Sequence, residues 1–246
     1  MTNVLVEHGS HQQKLRWCPG IVKGEVIQAM GLTEPGSGAK ANLLYVIAKT
    51  DDDIARGRSA MTMFLVDGTT PGVTIRRMDT IGMRASNIGE WFFADVRVPA
   101  SNILGSEGDA LRKVLKGTFT FDRTLIATRA LATAELAFKI TLDYVKQRKV
   151  FGQPVFEFQN TQFKLAEMKT QLVAGVAFRD SLLRSLAAGT LDVLTATTDT
   201  FLQLHGGYGY MSESAISRIY TYARVEPIYG GTNEVQKVNI AKALRG

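Results

Sequence analysis

The sequence predicts an α+β protein, with a small antiparallel β domain followed by a C-terminal antiparallel α-helical bundle. Three observations predict it. Between about residues 43 and 105, short β-rich runs alternate with turn residues. After Gly105 proline disappears until beyond Lys149, while apolar residues recur at helical spacing. The remaining chain carries several helix-length patterns joined by short connections, as an antiparallel bundle requires. A chain of 246 residues has room for one large or two small domains, and can bury roughly 70% of its unfolded surface.

The β-rich runs are LLYVIA, SAMTMFLVDG, GVTIRR and IGEWFFADVRV, punctuated by Asp67-Gly68, Pro71-Gly72 and Pro99. In the last run Trp91, Phe93 and Asp95 share one face, with Phe92 and Ala94 on the other. Apolar residues on both faces predict a strand covered on both sides. Ser106-Glu107-Gly108-Asp109 has the spacing of a capping box and opens the helical region. Leu125, Ala132, Leu136 and Ile140 mark the apolar stripe of a first long helix, which Gly152-Gln153-Pro154 ends. A second long helix is predicted from about Thr161 to Ala187, with Leu165, Met168, Leu172 and Phe178 on its apolar face. Shorter helices are predicted near 193–204, 211–224 and 233–245.

Composition excludes several classes. Hydrophobic residues make up 45% and charged residues 21%, ordinary for a globular protein. No apolar run approaches the roughly 20 residues that a membrane-spanning helix needs. The opening MTNVLVEHGSHQQK has the pattern of neither a signal peptide nor a transit peptide. The single cysteine, Cys18, permits no intrachain disulfide and suits a reducing compartment. Together with His8, His11 and His205 it is too little for a structural metal site. The net charge of +6 is scattered among acids, and the only run of like charge is Asp51-Asp52-Asp53. This argues against nucleic acid and for a small phosphate-bearing ligand.

Three glycine-bearing stretches could approach phosphates: LTEPGSG, LQLHGGYGYM and PIYGGTNEV. None is a Walker A loop or a Rossmann fingerprint, and each alone reads equally as a structural turn. Taken with QRKVFGQPVFEFQNTQFKLAEMK, in this order, they resemble the acyl-CoA dehydrogenase family over nearly the whole chain. The PIYGGTNE and FQNTQFKLAEMKTQ wording is most similar to the long-chain branch. The resemblance implies an FAD flavoenzyme that oxidises acyl-CoA thioesters to trans-2-enoyl-CoA in fatty-acid β-oxidation. It also implies electron delivery to an electron-transfer flavoprotein, and a homo-oligomer, dimer or tetramer, in a bacterial cytoplasm or, second, a mitochondrial matrix. The domains implied are a remnant of an N-terminal helical domain (1–28), a shortened β domain (29–105) and a helical bundle (106–246).

The same resemblance implies the site. A carboxylate must take the substrate α-proton while the β-hydride leaves. The family's commoner position for that base is Gly230 here, which has no side chain to act. The alternative position, an acid before an Arg on the first bundle helix, is Asp122 with Arg123. Asp is about 1.5 Å shorter than the expected Glu, a difference to which proton abstraction is sensitive. Without the family, Asp122-Arg123 reads as a surface ion pair worth ~0.3–0.5 kcal/mol. Leu32 and Thr33 are implied beside the isoalloxazine ring. Arg148, Phe151 and Gln159 match residues that reach the FAD of a neighbouring subunit, where Arg suits a pyrophosphate. Gln203, Gly206 and Gly207 match the loop over the adenosine side, and Thr232 and Glu234 the end of the cofactor tract. Tyr229, Gly230 and Gly231, with Arg123, are implied near the thioester. The bland readings are a helix cap for Thr232, exposed surface for Arg148 and Glu234, and a helix-end residue for His205.

Against the family pattern, most of the N-terminal helical domain is absent. A few dozen residues are missing after Gly38, among them a flavin-facing segment, and about a dozen between Asp192 and Phe201, shortening one bundle helix. These departures support an alternative function: a catalytically inactive truncated relative that keeps the bundle as an oligomerisation or binding scaffold.

Overall fold

The computed structural model describes residues 1–31, 41–53, 57, 59–86, 88–185 and 192–243. The chain divides into two compact units, Met1–Phe119 and Thr120–Gly246.

The first unit opens with two helices, α1 (Thr2–His8) and α2 (His11–Val22). A capping box starts α2: the Ser10 hydroxyl accepts the Gln13 N–H at 3.2 Å, and the Gln13 side chain accepts the Ser10 N–H at 2.9 Å. Three strands follow, β1 (Gln28–Gly31), β2 (Leu43–Lys49) and β3 (Met61–Asp67), in the order β1-β2-β3. β2 and β3 are antiparallel, with Leu43 opposite Asp67 and Lys49 opposite Met61. β1 runs parallel to β2, so the sheet is mixed where a purely antiparallel one was predicted. Alternation along β2 and β3 divides the core. Leu43, Tyr45, Met63 and Leu65 pack with Val4, Leu5 and Trp17 of the helices. Leu44 and Val66 face the other way, toward Val73, Ile75 and Trp91.

Those last three belong to a second pair, β4 (Val73–Arg77) and β5 (Gly89–Phe93), joined antiparallel. The sheet covered on both faces is therefore β2–β3, not β5. Trp91 is turned into the core, but Phe92 and Phe93 are exposed, because a two-stranded pair lying over a sheet has one outer face left in solvent. Asp95 lies past the strand, at φ +51°. Nor is 106–109 a capping box. Gly108 is left-handed at φ +77°, the Asp109 N–H closes a turn onto the Ser106 carbonyl, and the Asp109 carboxylate accepts from Lys113 Nζ at 2.8 Å.

One π-helical turn, Ala110–Val114, leads into α3 (Leu115–Gln147), which carries the chain into the second unit. A tight hairpin follows, β6 (Lys149–Val150) and β7 (Gln153–Pro154). Its tip residues Phe151 and Gly152 both have positive φ, as a two-residue primed turn needs. Then come α4 (Gln159–Ser185), α5 (Asp192–Leu204), α6 (Ala215–Ala223) and α7 (Asn233–Ala243). The helices lie close to the predicted spans, and α5, at 13 residues, is much shorter than the 33 and 27 of α3 and α4.

The buried face of α3 is not the predicted one. Leu125 and Leu136 are 51% and 52% exposed and Ala132 is also exposed, whereas Ile126, Ala127, Ala130, Ala134 and Ala137 are buried. Ala134 clusters with Leu172 of α4 and Ala223 of α6, and Ala137 with Met168, Phe201 and Ile216. Spacing locates a face but does not say which one, and the larger leucines drew the prediction to the outer side. On α4, Leu165, Met168 and Leu172 are buried as predicted, but Phe178 is exposed. Among the described residues no helix is long and apolar enough to cross a membrane.

Candidate active site

All the described candidate site residues lie in the second unit, and they form two groups. Leu32 and Thr33 lie outside the described residues.

The first group joins the early part of α3 to the α6–α7 connection. Asp122 and Arg123 are both half-buried. Arg123 does not lie along a solvated helix surface: its Nε donates to the Gly230 carbonyl at 3.0 Å. Gly230 and Gly231 are left-handed in succession, at φ +71° and +93°. A Cβ on Gly230 would lie 2.9 Å from Ile126 Cδ1, and one on Gly231 would lie 2.8 Å from Gln236 Nε2. A side-chain base is thus conformationally disfavoured at Gly230, and would also have to displace the tip of Ile126. Gln236 Nε2 donates to the Gly230 and Gly231 carbonyls at 3.4 and 3.2 Å, while its buried Oε1 has no donor among the described residues. Thr232 caps α7, its hydroxyl accepting the Val235 N–H at 3.4 Å. Glu234 is exposed, and its own N–H and the Thr232 hydroxyl hold its carboxyl below the usual range.

Two further residues of this group, Glu226 and Arg129, escaped sequence reasoning. Glu226 is only 4% exposed. Arg129 donates to its Oε1 from Nε at 3.1 Å and Nη2 at 2.8 Å, and the Tyr229 hydroxyl donates to its Oε2 at 2.5 Å. The Arg129 guanidinium also lies 5.4 Å from the Tyr229 ring centre. Burial pushes the Glu226 carboxyl up, and Arg129 only partly offsets this. The signal available in sequence was the spacing of Glu226 and Tyr229, three apart in VEPIYGG.

The second group gathers where α3 ends. Arg148 is exposed, with its guanidinium 6.0 Å from the Tyr208 ring centre. Phe151, at the hairpin tip, is 96% exposed, and its ring meets Phe158 edge-on at 6.5 Å. Gln159 is exposed at the start of α4 and Gln203 near the end of α5. Gly206 and Gly207 are exposed, and a Cβ on either would meet nothing within 4 Å. His205 anchors this loop. Its ring stacks on Tyr144 at 4.2 Å, Nε2 pairs with the Thr141 hydroxyl at 3.2 Å, and Tyr144 donates to the His205 carbonyl at 3.3 Å. Burial lowers its pKa below 6.5.

The two groups are not brought together within one chain. About 25 residues of α3 separate Asp122 from Arg148, a span of roughly 37 Å at the helical rise.

The sequence profile described as "Acyl-CoA dehydrogenase, C-terminal domain" matches residues 112–245. The pig mitochondrial long-chain specific acyl-CoA dehydrogenase is 33% identical over 283 residues, which cover 98% of this chain and 66% of that enzyme. The short-chain specific acyl-CoA dehydrogenase of Megasphaera elsdenii is also 33% identical, over 98% of this chain and 74% of its own. The crystal structure of an acyl-CoA dehydrogenase from Geobacillus kaustophilus superposes with a TM-score of 0.91 at 33% identity, over 99% of this chain and 75% of that one. The chain thus spans about two thirds of the pig enzyme and about three quarters of the two bacterial proteins. It belongs to the acyl-CoA dehydrogenase family, whose members are FAD flavoproteins.

Proposed function

We propose that the chain provides an FAD-dependent acyl-CoA dehydrogenase centre that converts long-chain acyl-CoA to trans-2-enoyl-CoA, with Asp122 as the base. The observation that carries this reading is the Arg123–Gly230 contact. It ties the α3 acid segment to a turn whose glycine geometry disfavours a base of its own. Asp122 takes the α-proton onto its carboxylate as the β-hydride leaves, so one C=C bond replaces two C–H bonds. Arg123 and Gln236 hold the Gly230 and Gly231 carbonyls, which fixes the turn beside the thioester.

The residues present fit FAD. Arg148 offers an unburied fork of donors for a pyrophosphate, Phe151 an open aromatic face, and Gly206 and Gly207 a backbone with space above it. When bound, FAD supplies the two-electron acceptor for the hydride. Gln203 would serve the adenosine side, with Thr232 and Glu234 at the end of the cofactor tract; Leu32 and Thr33 would lie by the ring. The roughly 37 Å between the two groups supports a homo-oligomer, in which Arg148, Phe151 and Gln159 serve the cofactor of a neighbouring copy. An electron-transfer flavoprotein is the proposed acceptor. Cys18 as sole cysteine suits a reducing compartment, the bacterial cytoplasm ahead of the mitochondrial matrix.

The long-chain assignment rests on the PIYGGTNE and FQNTQFKLAEMKTQ wording. The second reading, a scaffold without turnover, is favoured by the short reach of Asp122 and by the uncovered Leu125, Leu136 and Phe163. Anaerobic addition of palmitoyl-CoA to the FAD-loaded protein is expected to bleach the flavin bands, faster than butyryl-CoA does. Asp122→Asn is expected to abolish the bleaching. A protein that stays colourless after incubation with FAD would overturn the enzyme reading, and full turnover by Asp122→Asn would overturn the base.

A further inference from the structure

We propose that Glu226 is a positioning residue for this centre, acting through the Tyr229 hydroxyl to hold the Tyr229–Gly230–Gly231 turn against Arg123. The inference rests on the reading that substrate lies at this turn.

Two consecutive left-handed glycines carry little conformational restraint of their own, so the turn needs holding from outside. Its carbonyls are held by Arg123 and Gln236. The residue entering it, Tyr229, is held by its N–H on the Val225 carbonyl at 3.2 Å, by the Arg129 guanidinium over its ring and, at its far end, by its hydroxyl on Glu226 Oε2. Glu226 is in turn fixed by the paired donors of Arg129, six residues beyond Arg123 on the same helix. α3 therefore grips the connection at two points, one on the turn itself and one through a buried carboxylate and a phenol. Both carboxylate oxygens of Glu226 are engaged, one by Arg129 and one by Tyr229, which suits it to orientation. Burying a carboxylate is costly unless it is paired and hydrogen-bonded, and a tie between helices alone would be met as well by apolar contact. What the buried acid adds is a directional acceptor for Tyr229.

The test uses Tyr229→Phe, Glu226→Gln and the double variant. Tyr229→Phe removes one oxygen and leaves the ring packing intact, so it remains informative if Glu226→Gln fails to fold. Each single variant is expected to lower kcat per bound flavin about tenfold, with KM within about twofold. The double variant is expected to lose no more than the worse single one, because the two act as a unit. Amide exchange of the protein without substrate supplies a readout that needs no turnover. Tyr229→Phe is expected to speed exchange at 230–236 at least about fivefold and leave 134–145 unchanged. If the unmodified protein fails to bleach with acyl-CoA, the proposed function falls and the exchange measurement alone decides the positioning role. Losses in kcat that multiply in the double variant, or unchanged exchange at 230–236 in Tyr229→Phe, would overturn the inference.

Discussion

Replacing Gly230 with alanine tests the geometry on which the choice of base depends. The added Cβ has two costs. At φ +71° an L-residue gives up roughly 1–2 kcal/mol relative to glycine. It also meets Ile126 Cδ1 at 2.9 Å, the end of a side chain that can rotate away, which keeps the overpacking cost to about 1–2 kcal/mol. Together these predict a loss of about 2–4 kcal/mol, or roughly 5–15 °C in Tm for a chain of this size. Ile126→Val removes the offending methyl group and alone costs about 0.5–1.5 kcal/mol. In the double variant the steric part disappears while the backbone part stays. The combined loss is therefore expected to fall about 1 kcal/mol or more below the sum of the single losses. Urea melts of the four proteins measure this cycle. A Gly230→Ala protein as stable as the parent, or strict additivity with Ile126→Val, would refute the account of why this position lacks a side-chain base.

Arg129→Met strands the buried Glu226 carboxylate and is expected to cost about 2 kcal/mol at neutral pH, below the usual figure for a buried pair because Arg129 is half-exposed. Since burial raises the Glu226 pKa, this deficit is complete above the raised value and should shrink as pH falls toward 4.5; urea melts across that range check it. His205 has the opposite sign. Its folded pKa lies below 6.5, so its neutral form contributes stability at neutral pH that is lost as pH drops through and below 6.5, and His205→Asn should flatten that part of the Tm–pH curve. On α3, Ala134→Leu is expected to cost about 1–3 kcal/mol by thermal melt, whereas Ala132→Leu, on the exposed side, stays within about 0.5 kcal/mol.

The strands and helices were largely legible because their periods are local. LLYVIA and SAMTMFLVDG became β2 and β3, and the three short helical patterns became α5, α6 and α7. What misled was information that lies in a neighbour. The inner face of α3 is chosen by what Ala134 and Ala137 must slide past, which nothing in α3 itself records. β1 has four residues, too few to display a period or to show that it pairs parallel with β2. In the candidate site, the glycine pair of PIYGGTNE was visible, as was the acid–arginine pair on α3. Glu226 was not: an acid between Val225 and Pro227 reads as a solvated loop charge until Arg129, far away in sequence, closes over it. Thr232 was legible as a helix cap, because that reading needs only the helical pattern that follows it in sequence.

The alanine-lined side of α3 also bears on how this sequence can drift over time. Its inner alanines have few alternatives: glycine would weaken the helix, and a larger residue would overpack a buried cluster. Gly175 on α4 repeats the condition, since a Cβ there would come within 2.7 Å of Leu131 Cδ2. The outer positions, with their bulky leucines, are free of that constraint within a single chain. Variation along α3 should therefore be wider at exposed Leu125 and Leu136 than at buried Ala134 and Ala137, so that in an alignment of close relatives residue size alone would misplace the packed seam.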